Sequence, residues 1–206
     1  VRSTTAANVR PRVLVTLGLV ALAVFAIDQI AKHLVTTTLT LGEDVHVLGD
    51  VLILHYVKNP GAAFSLASGS TWIFSIIAAC VVVAVVWFAR RIRSAAWAVF
   101  FGLLLGGTLG NLFDRLFREP SFGLGHVVDF LYTPWLLPAI YNIADIAICS
   151  AMAIFVILSL RGVNLDGTRT TKASEAAAAQ EASDAPAAAR SAEGAEAPRD
   201  EPRTGA

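Results

Sequence analysis

The chain has 206 residues, 55% of them hydrophobic, and its sixteen acidic and sixteen basic residues leave a formal net charge of +0 at pH 7. A mean hydropathy of +0.63 is too apolar for an ordinary soluble domain, and a neutral chain gives no electrostatic sign of a nucleic-acid partner. The two cysteines, Cys80 and Cys149, both sit inside apolar runs with no metal-ligand spacing around them, so they read as small hydrophobes and not as a disulfide or zinc site. An N-terminal arm over residues 1–12 carries Arg2, Arg10 and Arg12, and leads into the first apolar run at 13–35. That run is too long for the core of a cleaved signal peptide and carries Asp28 and Lys32, so it is expected to stay as a membrane span. The next segment, 36–70, contains "VHVLGDVLILHYV" (45–57), a β-branched and aromatic stretch that Gly49-Asp50 can fold into a hairpin. Further runs follow at 71–89, 96–117 and 139–160, each near the 20 residues that a helix needs to cross a bilayer. A tail over 162–206, rich in Ala, Glu, Ser, Pro and Arg and without apolar periodicity, is expected to be disordered.

Basic residues set the orientation. Besides the arginines of the arm, Arg90, Arg91 and Arg93 lie between the second and third spans, and Arg161, Arg169 and Lys172 follow the fourth. The opposite segments, 36–70 and 118–138, offer only Lys58 and Arg118. The positive-inside rule therefore puts both termini in the cytoplasm. Trp87 and Trp97 then fall at the inner interface, and Trp72, Tyr132 and Trp135 at the outer one, where aromatic belts form.

With that orientation the polar residues of the spans share one depth. Asp28 and Lys32 come late in the first span, Asn111, Asp114 and Arg115 late in the third, and Asn142 and Asp145 early in the fourth. At 1.5 Å of rise per residue all lie within about 10 Å of the outer surface. Asp28 and Lys32 are four apart with the acid first, the favourable order for pairing along a helix. Gly107, Asn111, Asp114 and Arg115 share a stripe, and Gly102, Gly106 and Gly110 are spaced to let a neighbouring helix approach. Intramembrane charges are costly and face a bundle interior or a wet cavity. Asp28–Lys32 and Asp114–Arg115 read equally well as neutralised pairs that fix packing. Asp129, in the segment after the third span, and Asp145 have no basic residue within four positions, which makes them the better candidates for chemistry.

Two carboxylates at close range cannot both ionise easily, so they share a proton. Such a pair supplies both a base for water and an acid for a leaving group, without metal, thiol or serine. The other catalytic patterns are missing from the sequence. There is no His-Glu-x-x-His helix and no Gly-x-Ser-x-Gly elbow, and His33, His46, His55 and His126 are scattered. Membrane acids also serve proton-coupled carriers, although four spans without an inverted repeat suit a transporter poorly. Spacing alone leaves an intramembrane aspartyl hydrolase, a carrier and a purely structural assembly factor as open readings.

The stretches "DQIAK" (28–32), "NPGAAFS" (59–65), "GGTLGNLFDRL" (106–116), "HVVDF" (126–130) and "YNIADIAI" (141–148) narrow the choice. In this order, across four spans, they resemble the lipoprotein signal peptidase family, signal peptidase II of bacteria. The likeness covers about residues 13–160, and the four-helix core is expected over 13–161. It implies an all-α membrane protein with a small β element: four transmembrane helices, a periplasm-side β-cradle and an outer loop. It also implies an aspartic endopeptidase of the bacterial inner membrane that needs no cofactor or metal. Its substrates would be prolipoproteins carrying a diacylglyceryl group on the cysteine after the cut, with membrane lipids as its surroundings, and it is expected to act as a monomer. Carried over by motif, Asp129 and Asp145 are the catalytic dyad, near the outer leaflet. Asp28, Lys32, Asn59, Gly107, Asn111, Arg115, Asn142 and Ala144 match positions that hold substrate or support the dyad. Tyr141 stands where the resemblance leads one to expect Phe, and Thr108 where it leads one to expect Ala. The glycine-bearing "PSFGLG" (120–125) suits a mobile outer loop.

Overall fold

The structure is a computed structural model that describes residues 11–61 and 71–169. Arg2 and Arg10 of the arm, residues 62–65 of "NPGAAFS" and the tail from 170 lie outside the described residues. Among the described residues four helices are long and apolar enough to cross a membrane: α1 (Pro11–Thr38), α2 (Thr71–Ala89), α3 (Ala95–Phe117) and α4 (Ile143–Leu160). Between them lie β1 (Asp44–His46), β2 (Ile53–Asn59), β3 (Val127–Tyr132) and β4 (Ile140–Tyr141). The strands form one antiparallel sheet in the order β1-β2-β3-β4.

Helix α3 is the centre of the bundle and packs against α1, α2 and α4. Its glycines explain how two helices come so near it. A Cβ on Gly106 would stand 2.6 Å from the carbonyl oxygen of Ala21 in α1, and one on Gly107 2.6 Å from that of Ala144 in α4. Small residues at such positions let backbones meet where no hydrophobic effect drives helices together. Away from the sheet, Val13, Leu17, Ile92, Trp97, Phe100, Ala151 and Leu158 make a buried cluster. The outward apolar side chains, such as Leu19, Val83 and Val156, are exposed as lipid contact requires.

The hairpin foreseen at 45–57 is β1–β2, with Val45 opposite Leu54 and Gly49 at φ 54° in the turn. Strand β3 was not foreseen. It pairs with β2 in a register that sets Asp129 opposite Val57 and Val127 opposite Asn59, with an irregularity between Leu54 and Val57. One face of this sheet buries Tyr56, Val128 and Phe130 against Val35 of α1.

The first span, expected at 13–35, is the longer helix Pro11–Thr38, and two further boundaries move for identifiable reasons. The fourth span was placed from 139, but Ile140 and Tyr141 pair with Tyr132 and Leu131 as β4, and the helix starts at Ile143. The cause is Asn142, whose extended backbone and side chain form a capping box with Asp145. The tail was expected to lose order from 162, yet residues 162–168 fold back on the bundle. The Leu165 carbonyl accepts from the backbone N–H groups of Arg93 and Ser94, and the Trp97 indole donates to the Val163 carbonyl at 3.0 Å. Val163 and Leu165 also pack on the buried cluster, so this short segment has both apolar and hydrogen-bonding reasons to dock.

Candidate active site

The site lies where α1, α3, the N-terminus of α4 and the sheet meet. Asp129 projects from β3 and is 3% exposed. Its Oδ2 accepts from Asn59 Nδ2 at 2.8 Å and its Oδ1 from Asn142 Nδ2 at 2.6 Å. Asn59 ends β2, and its own Oδ1 accepts from the Gly61 backbone at 2.8 Å. This Asx turn fixes the amide that faces Asp129.

Asp145 occupies the first turn of α4. Its Oδ2 accepts from the Asn142 backbone at 3.1 Å and its Oδ1 from Asn111 Nδ2 at 2.9 Å, while its backbone N–H donates to Asn142 Oδ1 at 2.9 Å. One asparagine side chain therefore touches both acids: Asn142 caps the helix that carries Asp145 and donates to Asp129. Its Nδ2 also donates to Asn111 Oδ1 at 3.1 Å.

Behind these acids is a charged cluster. Lys32 pairs with Asp28 at 2.8 Å and with Asp114 at 2.7 Å, all three fully buried, and donates to Asn111 Oδ1 at 3.0 Å. Asp28 Oδ1 accepts from the Ala144 backbone at 3.0 Å, which ties α1 to the start of α4. Gly107 presses on the Ala144 carbonyl, as described above. The expected Asp114–Arg115 pair does not form. Adjacent helix residues do not face one another, and Asp114 instead accepts from Arg118 Nε at 2.6 Å, one turn on. Asp114 Oδ2 also takes the Val128 backbone N–H at 3.2 Å, and so holds β3 one residue from Asp129.

Arg115 is left free for something else. Its buried Nη1 has no hydrogen-bond partner among the described residues, and it lies beside Gly61, with the guanidinium carbon 5.3 Å from the Phe74 ring centroid. A buried donor left unmade costs stability and calls for an explanation. Sequence reasoning missed Gln29, whose Nε2 reaches the Gly110 carbonyl at 3.1 Å and Asp114 Oδ1 at 3.3 Å, and Arg118 as the partner of Asp114. The four-residue spacing of Asp114 and Arg118, acid first as in Asp28 and Lys32, was the available signal.

Burial pushes the Asp129 carboxyl up to about 6, and the neighbouring charge of Asp145 adds to the rise. The amides of Asn59 and Asn142 and the charge of Lys32 pull the other way. Asp129 is thus poised to hold a proton while its neighbours keep it fixed. Beside Asp145 an apolar groove of about 360 Å³ runs along α4, lined by Leu136, Leu137, Tyr141, Ile146 and Cys149. Among the described residues no group of three or more His, Cys, Asp or Glu side chains is placed to hold a metal ion.

Comparison with known proteins decides the family. The model of the family described as signal peptidase (SPase) II matches residues 20–161. The chain belongs to the signal peptidase II family. A lipoprotein signal peptidase of Leifsonia xyli subsp. xyli is 62% identical over 156 residues, covering 76% of this chain and 72% of that protein. One from Rhodococcus jostii is 44% identical over 153 residues, covering 74% and 76%. A bacterial membrane enzyme solved by the in meso method at 1.9 Å has 31% identity and a TM-score of 0.64, covering 71% of this chain and 93% of its own. Membership of the signal peptidase II family makes the chain a peptidase built on membrane-spanning helices.

Proposed function

We propose that the chain is an intramembrane aspartyl endopeptidase that removes signal peptides from diacylglyceryl-modified prolipoproteins by cutting before the lipidated cysteine. The observation that carries the reading is the Asn142 side chain, which donates to Asp129 and caps the helix turn of Asp145, so one side chain links the two acids. The names of the relatives support the substrate class, and the groove beside Asp145 suits an acyl chain or an apolar peptide.

In this mechanism the two acids hold one proton between them. The ionised carboxylate takes a proton from water as the oxygen attacks the scissile carbonyl carbon. The protonated carboxyl then gives its proton to the departing nitrogen, the C–N bond breaks, and the pair returns to the singly protonated state. Arg115 Nη1, a donor without a partner among the described residues, is suited to the substrate backbone. Asn111 and Asn142 orient the acids, and Lys32 with Asp28 holds the frame. By the distribution of basic residues, the enzyme is a multi-pass cell-membrane protein with cytoplasmic termini, its site near the outer leaflet, and it works as a monomer without a metal.

The test is a synthetic prolipoprotein peptide offered with and without its diacylglyceryl group. Cleavage of the lipidated form before its cysteine, unchanged by EDTA, is the expected result. Equal cleavage of both forms would remove the substrate assignment, and chelator-sensitive turnover would remove the metal-free mechanism.

A further inference from the structure

The strand carrying Asp129 has a second face, and a cavity lies on it. Side chains alternate across a strand, so Lys58 and Val128 point away from the sheet face that Asn59 and Asp129 share. On that far side a cavity of about 280 Å³ is lined by Thr36, Tyr56, Lys58, Arg118, Glu119 and His126. It closes against Phe117, the last residue of α3, which also lines a second hollow of about 180 Å³ between α1 and α3. That hollow is walled by Phe25, Leu109, Leu112, Phe113 and Leu116. Phe25 stacks edge-on against Phe113 at 5.8 Å, Phe113 meets Phe117 at 4.9 Å, and Phe117 meets Phe122 at 6.1 Å. The rings form a ladder on the lipid-facing surface that ends under the polar cavity.

We infer that this surface is a binding site for one glycerophospholipid, with its phosphodiester in the Lys58–Arg118–His126 cavity and an acyl chain in the Phe25–Phe113–Phe117 groove. The lining fits an anion: Lys58 and Arg118 stand against one lining acid, Glu119, and Asp114, which Arg118 also meets, is shared with Lys32. The donors are available. Arg118 gives Nε to Asp114 and Nη2 to Gln29, and its Nη1 has no partner among the described residues. Among the described residues Lys58 makes one exposed pair, with Glu119 at 2.9 Å, which an incoming phosphate can exchange. A hydrocarbon alone would fill the groove but leave these donors unused, whereas a phospholipid fills both parts. Basic pockets beside membrane helices recognise lipid headgroups by this chemistry.

The site is also wired to the candidate dyad. Arg118 holds Asp114, and Asp114 holds the Val128 backbone next to Asp129. A headgroup at Arg118 therefore pulls on the carboxylate that anchors β3.

The test is native mass spectrometry of the full-length chain in detergent, titrated with a synthetic diacyl phosphatidylglycerol and, separately, with diacylglycerol of the same chains. The phospholipid is expected to bind at least about tenfold more tightly, the worth of one charge-assisted hydrogen bond. Replacing both Lys58→Gln and His126→Gln should abolish that preference, and Leu109→Trp, which fills the groove, should weaken both ligands. Equal binding of the two ligands would overturn the proposal, as would an unchanged preference in the double variant. Displacement of the phospholipid by a lipid-modified substrate peptide would overturn it too, because the lipid would then occupy the groove beside Asp145.

Discussion

At the scale of single residues, Asp129 is the group whose surroundings set the chemistry. Its raised pKa means that the folded chain favours the protonated carboxyl relative to the unfolded one. The stability this gives is complete below about 4 and is lost as the pH rises through about 6. Unfolding midpoints measured across that interval should fall with rising pH, and Asp129→Asn should flatten the profile. Asn59 donates to the ionised form, so its removal disfavours that form. Asn59→Ala should shift the alkaline limb of kcat/KM to higher pH, a direction that loss of packing alone would not produce. The two acids stand out in the sequence because neither has a local counterion. The partner of Asp114 does not, since its choice between Arg115 and Arg118 depends on which side of α3 faces α1 and β3. Asp114→Asn would leave Lys32 and Arg118 with one acid fewer. A buried pair broken on one side costs about 3–5 kcal/mol, so chemical denaturation should show a loss of this order.

At the scale of elements, α3 is defined by what it lacks. Gly106 and Gly107 sit where any side chain would meet the backbone of α1 or α4. Gly107→Val should misplace the start of α4, which carries Asn142 and Asp145, and reduce turnover more than Gly18→Ala, whose Cβ meets nothing within 4 Å. Turnover and melting temperature of the two variants measured side by side check this. The four-residue glycine spacing and the four apolar runs were legible because they are local patterns. Strand β3 was not, since "HVVDFLY" is short and its pairing with β2 joins residues about 70 positions apart. The start of α4 was misjudged for a related reason. Hydropathy runs straight through Ile140 and Tyr141, and only the Asn142 cap separates strand from helix.

At the scale of the whole molecule, four spans and a sheet converge on one end of the bundle. Composition announced the spans, and the motif order announced the family. The docking of 162–168 was hidden because it depends on the backbone N–H groups of Arg93 and Ser94 just before α3, which composition does not display. A chain ending after Thr168 should keep its stability and turnover, whereas one ending after Arg161 should lose stability, with the Trp97–Val163 bond and the Leu165 contacts gone. Thermal unfolding of the two truncations separates these outcomes.

The most direct measurement is cleavage of a diacylglyceryl prolipoprotein by purified Asp129→Asn and Asp145→Asn, each first shown to be folded and inserted. Both should lose turnover by at least about a thousandfold, because neither amide can exchange the proton that hydrolysis requires. Wild-type rates in either variant would contradict the assignment of these two acids as the reacting pair.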